Sequence, residues 1–231
     1  MKYHIIIIGI IGLFSCKENS KSSEKVSNDS ASKKEQAETK QDNSFLISCD
    51  GVGKLNFTMN YNDVEKTFGK EKLKTDTVLA GTPMMDDEKS TEDRIGTEIH
   101  TSEGKLYITW QAGKQAKTIE KISILKNSKY HFENGIKVGS SLKDLIQANN
   151  NQVFEFYGFG WEYGGLIINE TSQGSFFKQY PCFVGSLAPQ SETYDKVQAF
   201  MGDSKFKSNA KNLPLEEIIL QQITIINSQL K

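Results

Sequence analysis

Leu55-Asn56-Phe57-Thr58-Met59-Asn60-Tyr61-Asn62-Asp63-Val64 and Ile136-Lys137-Val138-Gly139-Ser140-Ser141-Leu142-Lys143-Asp144-Leu145 align without a gap at an offset of 81 residues. In each copy apolar residues alternate, a polar residue follows (Asn60, Ser141), and an acid stands three positions later (Asp63, Asp144). Alternation is the mark of a strand with one buried face. A polar residue followed three positions on by an acid resembles a capping box, with Asp in the place of the usual Glu. The cap oxygen satisfies free amide N–H groups, and the acid complements the positive end of the helix dipole. Each copy therefore predicts a strand that runs into a short helix. The first helix is expected to stop at Gly69 and the second at Asn149-Asn150-Asn151, residues that accept a left-handed backbone. Helices this short are not stable alone, so each must lie on a sheet.

Sheet material follows both helices. After the first come Thr77–Leu79, Thr97–His100, Lys105–Trp110 and Ile119–Leu125, with β-branched, aromatic and alternating character. Thr101-Ser102-Glu103-Gly104 reads as a hairpin turn. After the second come Val153–Tyr157, Leu166–Asn169, Phe176–Val184 and a late run, Ile218–Ile226. Thr82–Arg94, with its proline and clustered acids, interrupts the pattern and reads as an exposed loop. The expected class is α+β, in two tandem modules over residues 45–130 and 131–231, each a short capped helix packed on an antiparallel sheet.

The start of the chain has a different character. Met1-Lys2-Tyr3-His4 is short and positively charged, and Ile5–Phe14 is an apolar run broken only by Gly9 and Gly12. About ten apolar residues span roughly half a bilayer core as a helix, the length of a signal-peptide core rather than of a membrane-spanning segment. Leu13-Phe14-Ser15-Cys16 follows and resembles the lipobox of bacterial lipoproteins. That resemblance implies removal of residues 1–15 and acyl chains on Cys16, which is enough for stable anchoring. Residues 16–44 then form a tether. Lys17–Ser44 carries six Lys and six acids with Val26 as its only large aliphatic, and buries too little apolar surface to offset ordering. As a coil it spans roughly 30 Å. Three cysteines less Cys16 leave Cys49 and Cys182, which in an oxidising envelope are either a disulfide or two separate buried thiols.

The whole chain has a formal charge of −1 and a pI near 6.3, without the basic excess that nucleic-acid binding uses. The expected partners are the membrane, through lipidated Cys16, and an envelope protein or a glycan, with no nucleic acid.

A duplicated short helix followed by antiparallel strands resembles the SmpA/OmlA-type outer-membrane assembly lipoproteins and the β-lactamase-inhibitor-protein-like fold. Leu55, Phe57, Met59, Val64 and Gly69 carry the likeness in the first copy, and Ile136, Val138, Gly139 and Leu145 in the second. Thr58 stands where that pattern has Gly in the first copy, and Asn150 replaces the closing Gly in the second. Gly135–Leu145, followed by Phe156–Gly165, also looks like a group of envelope proteins of unassigned activity. The resemblance implies a fold and an outer-membrane address, with binding through a sheet surface. It implies no catalytic residue.

Direct search for chemistry gives little. Of the histidines, His100 and His131 fall outside the signal segment read at residues 1–15 and are not at a metal-ligand spacing, so no metal and no cofactor is expected. Ser140-x-x-Lys143 and Ser175-x-x-Lys178 match the Ser-x-x-Lys string of penicillin-recognising enzymes, without its companion motifs. Asp86, Asp87, Glu88, Glu92 and Asp93 read as a solvated acidic loop rather than a calcium site. The most unusual stretch is 154–165, where Phe154, Phe156, Tyr157, Phe159, Trp161 and Tyr163 alternate with glycines. One reading is a tight hairpin with half of its rings in the core. The other is an exposed platform of Phe159, Trp161 and Tyr163, with glycines that let a partner's backbone come close. The expected function is a non-catalytic binding or assembly module on a lipid anchor. The alternatives are an envelope-polymer hydrolase using Asp/Glu chemistry and a glycan- or small-molecule-binding lipoprotein.

Overall fold

A computed structural model describes residues 43–78, 94–111, 117–160, 163–169 and 171–230. The signal segment, Cys16, the tether, the acidic loop and Trp161 lie outside the described residues.

Both helix starts have the reciprocal caps that the duplicated motif predicts. Helix α1 is Tyr61–Phe68. Asn62 and Asp63 donate their backbone N–H groups to Asn60 Oδ1, and Asn60 N–H donates to Asp63 Oδ2. Helix α2 is Leu142–Ala148, where Asp144 N–H donates to Ser141 Oγ and Ser141 N–H to Asp144 Oδ2. Gly69 ends α1 at φ 91°, and Asn150 and Asn151 follow α2 at φ 54° and 57°. Val64 and Leu145, the equivalent apolar positions, are fully buried.

Three small strands precede α1: β1 (Ile47–Ser48), β2 (Gly51–Val52) and β3 (Leu55–Asn56), paired in that order. Beyond α1 come β4 (Leu73–Val78), β5 (Arg94–Thr101), β6 (Gly104–Trp110) and β7 (Ile119–Ile124). The Thr101–Gly104 turn joins β5 to β6, with Thr101 Oγ1 donating to the Gly104 carbonyl at 2.7 Å. Beyond α2 come β8 (Glu155–Tyr157), β9 (Ile167–Ile168), helix α3 (Ser175–Gln179), β10 (Phe183–Pro189), β11 (Lys205–Lys207) and β12 (Ile218–Ile226). A 3₁₀ helix spans Ser191–Phe200 between β10 and β11.

The α+β class is thus present, with a small sheet in each half, β1-β2-β3 and β11-β8-β9, and a central sheet that the two halves share. The central sheet has six antiparallel strands in the order β10-β12-β7-β6-β5-β4. The β12–β7 pairing, with Ile223 opposite Ile124 and Ile225 opposite Ile122, joins strands from either side of residue 130. Gln41–Lys231 accordingly forms one compact unit. One face of this sheet carries Ile99, Leu106, Ile108, Trp110, Ile122, Ile124, Ile223 and Ile225, all with no measurable exposure. Trp110 packs its ring 6.1 Å from that of Tyr61 on α1 and donates its indole N–H to the buried Thr97 Oγ1 at 2.9 Å.

One predicted strand, Phe176–Val184, is in fact a helix, a break and then a strand. Phe176 and Phe177 are both buried, and an extended chain would point them to opposite faces. The helical turn places Phe176 against Tyr180, four positions on, with ring centroids 5.2 Å apart. Pro181 has no N–H to offer a ladder, and β10 begins after it. Next to this break Cys182 is bonded to Cys49, with the Cα atoms 5.4 Å apart. The bond ties the turn between β1 and β2 to the head of β10.

Candidate binding surface

The aromatic run divides by strand alternation. Along β8, Phe154 and Phe156 point inward and are buried, whereas Glu155 and Tyr157 point outward and are half-buried. Past Gly158 the chain leaves β8, and Phe159 turns inward, 2% exposed. This corrects the expectation that Phe159 is part of an exposed platform. Its backbone is clamped: Phe159 N–H donates to the Phe200 carbonyl at 2.9 Å, and Gly202 N–H donates to the Phe159 carbonyl at 2.9 Å. With the main chain held on both sides, the ring is delivered into a cluster with Phe156 (5.7 Å between centroids). Phe206 and Phe200 extend that cluster.

Two glycines of the run serve the same packing. A Cβ on Gly158 would stand 2.4 Å from the Gly202 carbonyl oxygen, and one on Gly165, which sits at φ 70°, would stand 1.8 Å from the Leu187 carbonyl oxygen. The close backbone approach expected of a partner is made by the protein's own chain.

Among the described residues of the run, a small polar-aromatic face points outward. Tyr163 is 39% exposed, and its ring lies 5.4 Å from that of Tyr157 at an interplanar angle of 34°. On the adjoining strand the register sets Lys205 opposite Tyr157 and Lys207 opposite Glu155. Lys205 Nζ lies 5.4 Å from the Tyr157 centroid, a cation–π contact. Glu155 Oε2 accepts a hydrogen bond from Thr171 Oγ1 at 3.3 Å. Lys205 and Lys207 do not stand out in the sequence. The only signal is Lys-Phe-Lys, a three-residue alternation.

The other singled-out residues serve structure. His100, at a strand end, lies 3.0 Å from Glu98 Oε1, and His131 Nδ1 lies 3.0 Å from the Lys129 carbonyl. Ser140 Oγ accepts the Lys137 N–H at 3.1 Å, while Lys143 pairs with Glu216 at 2.5 Å. Ser175 Oγ donates to the Ala148 carbonyl at 3.0 Å, and Ser175 is the first residue of α3. Among the described residues no group of three or more His, Cys, Asp or Glu is placed to hold a metal. An open cleft of about 500 Å³ lies beside the start of α2, lined by Asn134, Lys137, Ser140, Asp144 and Gln147 with Ile136 and Ala148. Asp144 is the one carboxylate of that lining, and it is engaged as the helix cap.

No helix among the described residues is long and apolar enough to cross a membrane. No protein-family profile, curated protein or solved structure matches the chain.

Proposed function

We propose that the chain is a bacterial envelope lipoprotein, cut before Cys16, lipidated on Cys16 and held at the outer membrane by residues 17–44. Its folded body works as a non-catalytic binding or assembly module. The observation that carries this reading is the Cys49–Cys182 bond. Disulfides persist in oxidising compartments, and this one uses the two cysteines left once Cys16 is given to lipid. The lipobox-like Leu13–Cys16 and the apolar run before it supply the route there. For the binding role, support comes from Tyr163, an aromatic side chain left outside the core while Phe154, Phe156 and Phe159 of the same run are buried.

Two measurements test the two parts. A palmitate analogue fed to cells is expected to label the wild type and not Cys16→Ala, and equal labelling of both defeats the anchor. A photo-crosslinking amino acid at Tyr163 is expected to give a discrete adduct in intact envelopes, while the same group at exposed Lys211 gives none. Identical patterns at the two positions defeat the binding role.

A further inference from the structure

We infer that the Tyr157–Tyr163 face takes a neutral saccharide ring. This rests on the reading of the body as a binding module and names the chemistry of what it binds. The core of a protein–protein contact is depleted of charge and built from contiguous apolar area. This face is the reverse: its two rings are bordered at once by Lys205, Lys207 and Glu155. A pyranose has the matching layout, with C–H groups on its flat face and hydroxyls around its edge. The C–H face can lie on an aromatic ring, and each hydroxyl both donates and accepts. The two ammonium groups are donors and the Glu155 carboxylate is an acceptor, so both hydroxyl functions find a partner. Charge decides between a neutral and an acidic sugar. Among the described residues Lys205 and Lys207 are matched in number by Glu155 and by exposed Asp203 just before the strand, so these charges sum to zero and do not favour an anion.

The geometry is also preset. Tyr157 contacts both the Tyr163 ring and Lys205, and its strand is fixed by three register pairs to β11. Phe156 and Phe206, opposite each other in that register, back the face from inside the fold. Tyr163, 39% exposed, offers ring area for stacking, and little ordering of these described residues is left to be done on binding.

The test is titration of the full chain, extracted in detergent, with maltohexaose, cellohexaose, laminarihexaose and chitohexaose, followed by calorimetry. At least one is expected to bind saturably at millimolar concentration or below. Tyr163→Ala is expected to weaken that binding by about tenfold or more, while Tyr163→Phe, which keeps the ring, stays within about twofold. Thermal melts of both variants check that the fold is intact. Silence of all four sugars overturns the inference, as does equal binding by wild type and Tyr163→Ala. A silent panel together with a protein adduct at position 163 overturns the saccharide and leaves the binding module standing. A silent panel without any adduct removes both.

Discussion

Reduction of Cys49–Cys182 is the perturbation with the largest effect that the structure lets one work out. The bond closes a loop of 133 residues, most of the folded body. On the chain-entropy account, a cross-link over that length removes about 5 kcal/mol of freedom from the unfolded chain. The total stability of a domain is about 5–15 kcal/mol, so the bond supplies a large share of it. The Cys182 side of the native contact is fixed: Cys182 is 2% exposed, and its carbonyl accepts the Ile226 N–H at 3.0 Å at the end of the β10–β12 ladder. Breaking the bond therefore gives back little native-state freedom to offset the loss. Equilibrium urea unfolding of the oxidised and the dithiothreitol-reduced protein compares the two with the same side chains throughout, which avoids the void that Cys→Ala leaves. With a slope of about 2 kcal/mol per molar urea, the midpoint should fall by roughly 2 M on reduction. A shift under about 0.5 M refutes the entropic reasoning, and alkylation of both thiols in the native, unreduced protein refutes the bond.

Three further outcomes follow from packing and charge. Val64→Asp and Leu145→Asp each bury an unpaired carboxylate at a site with no exposure, and each should cost about 3 kcal/mol or more by urea unfolding; a near-neutral result at either contradicts its place under the sheet. Phe159→Ala should cost about 3–5 kcal/mol, whereas Tyr163→Ala should cost less than about 1 kcal/mol, and the reverse order contradicts the division of the aromatic run. Glu98 accepts a hydrogen bond from Lys105 at 2.7 Å, which, with the nearby His100 and Lys74, holds its carboxyl below the ordinary 4.5. A depressed native pKa means that the contribution is whole above the ordinary value and fades as pH falls through the lower native one. Glu98→Gln should flatten that part of the acid-stability curve, and an unchanged curve argues against the coupling.

The features legible in the sequence are those in which the signal is local. A capping box needs only four consecutive residues, so Asn60–Asp63 and Ser141–Asp144 announce both helices, and Gly69 and Asn150 announce their ends. Partner choice between strands is not local. Ile119–Ile124 and Ile218–Ile226 are both apolar enough to be central strands, and nothing in either run says that they pair with each other across some hundred residues. A duplicated motif invites the assumption of duplicated sheets. The β7–β12 ladder instead joins β10 and β12 to the strands of the first half in one central sheet, which covers edges that would otherwise stay open, while β8, β9 and β11 form a sheet of their own. The misread Phe176–Val184 strand had its warning in Pro181, and in two adjacent phenylalanines that one face of a strand cannot take.

The aromatic run was harder, because its composition has two causes that look alike in one dimension. Glycines between aromatic residues serve a partner's backbone or the protein's own. Here Gly158 and Gly165 are set against the carbonyls of Gly202 and Leu187, and no sequence rule names residues so distant as the reason for a glycine. Once they are assigned to packing, Phe159 follows them inward, since the same clamp that requires Gly158 to be small fixes the peptide next to it. The period of two along β8 does survive: it sends Glu155 and Tyr157 out together, and the antiparallel register then brings Lys207 and Lys205 beside them. The outward face is thus a product of strand phase and register rather than of aromatic count. That is why it centres on Tyr157 and Tyr163, with two lysines that a search for aromatic density passes over.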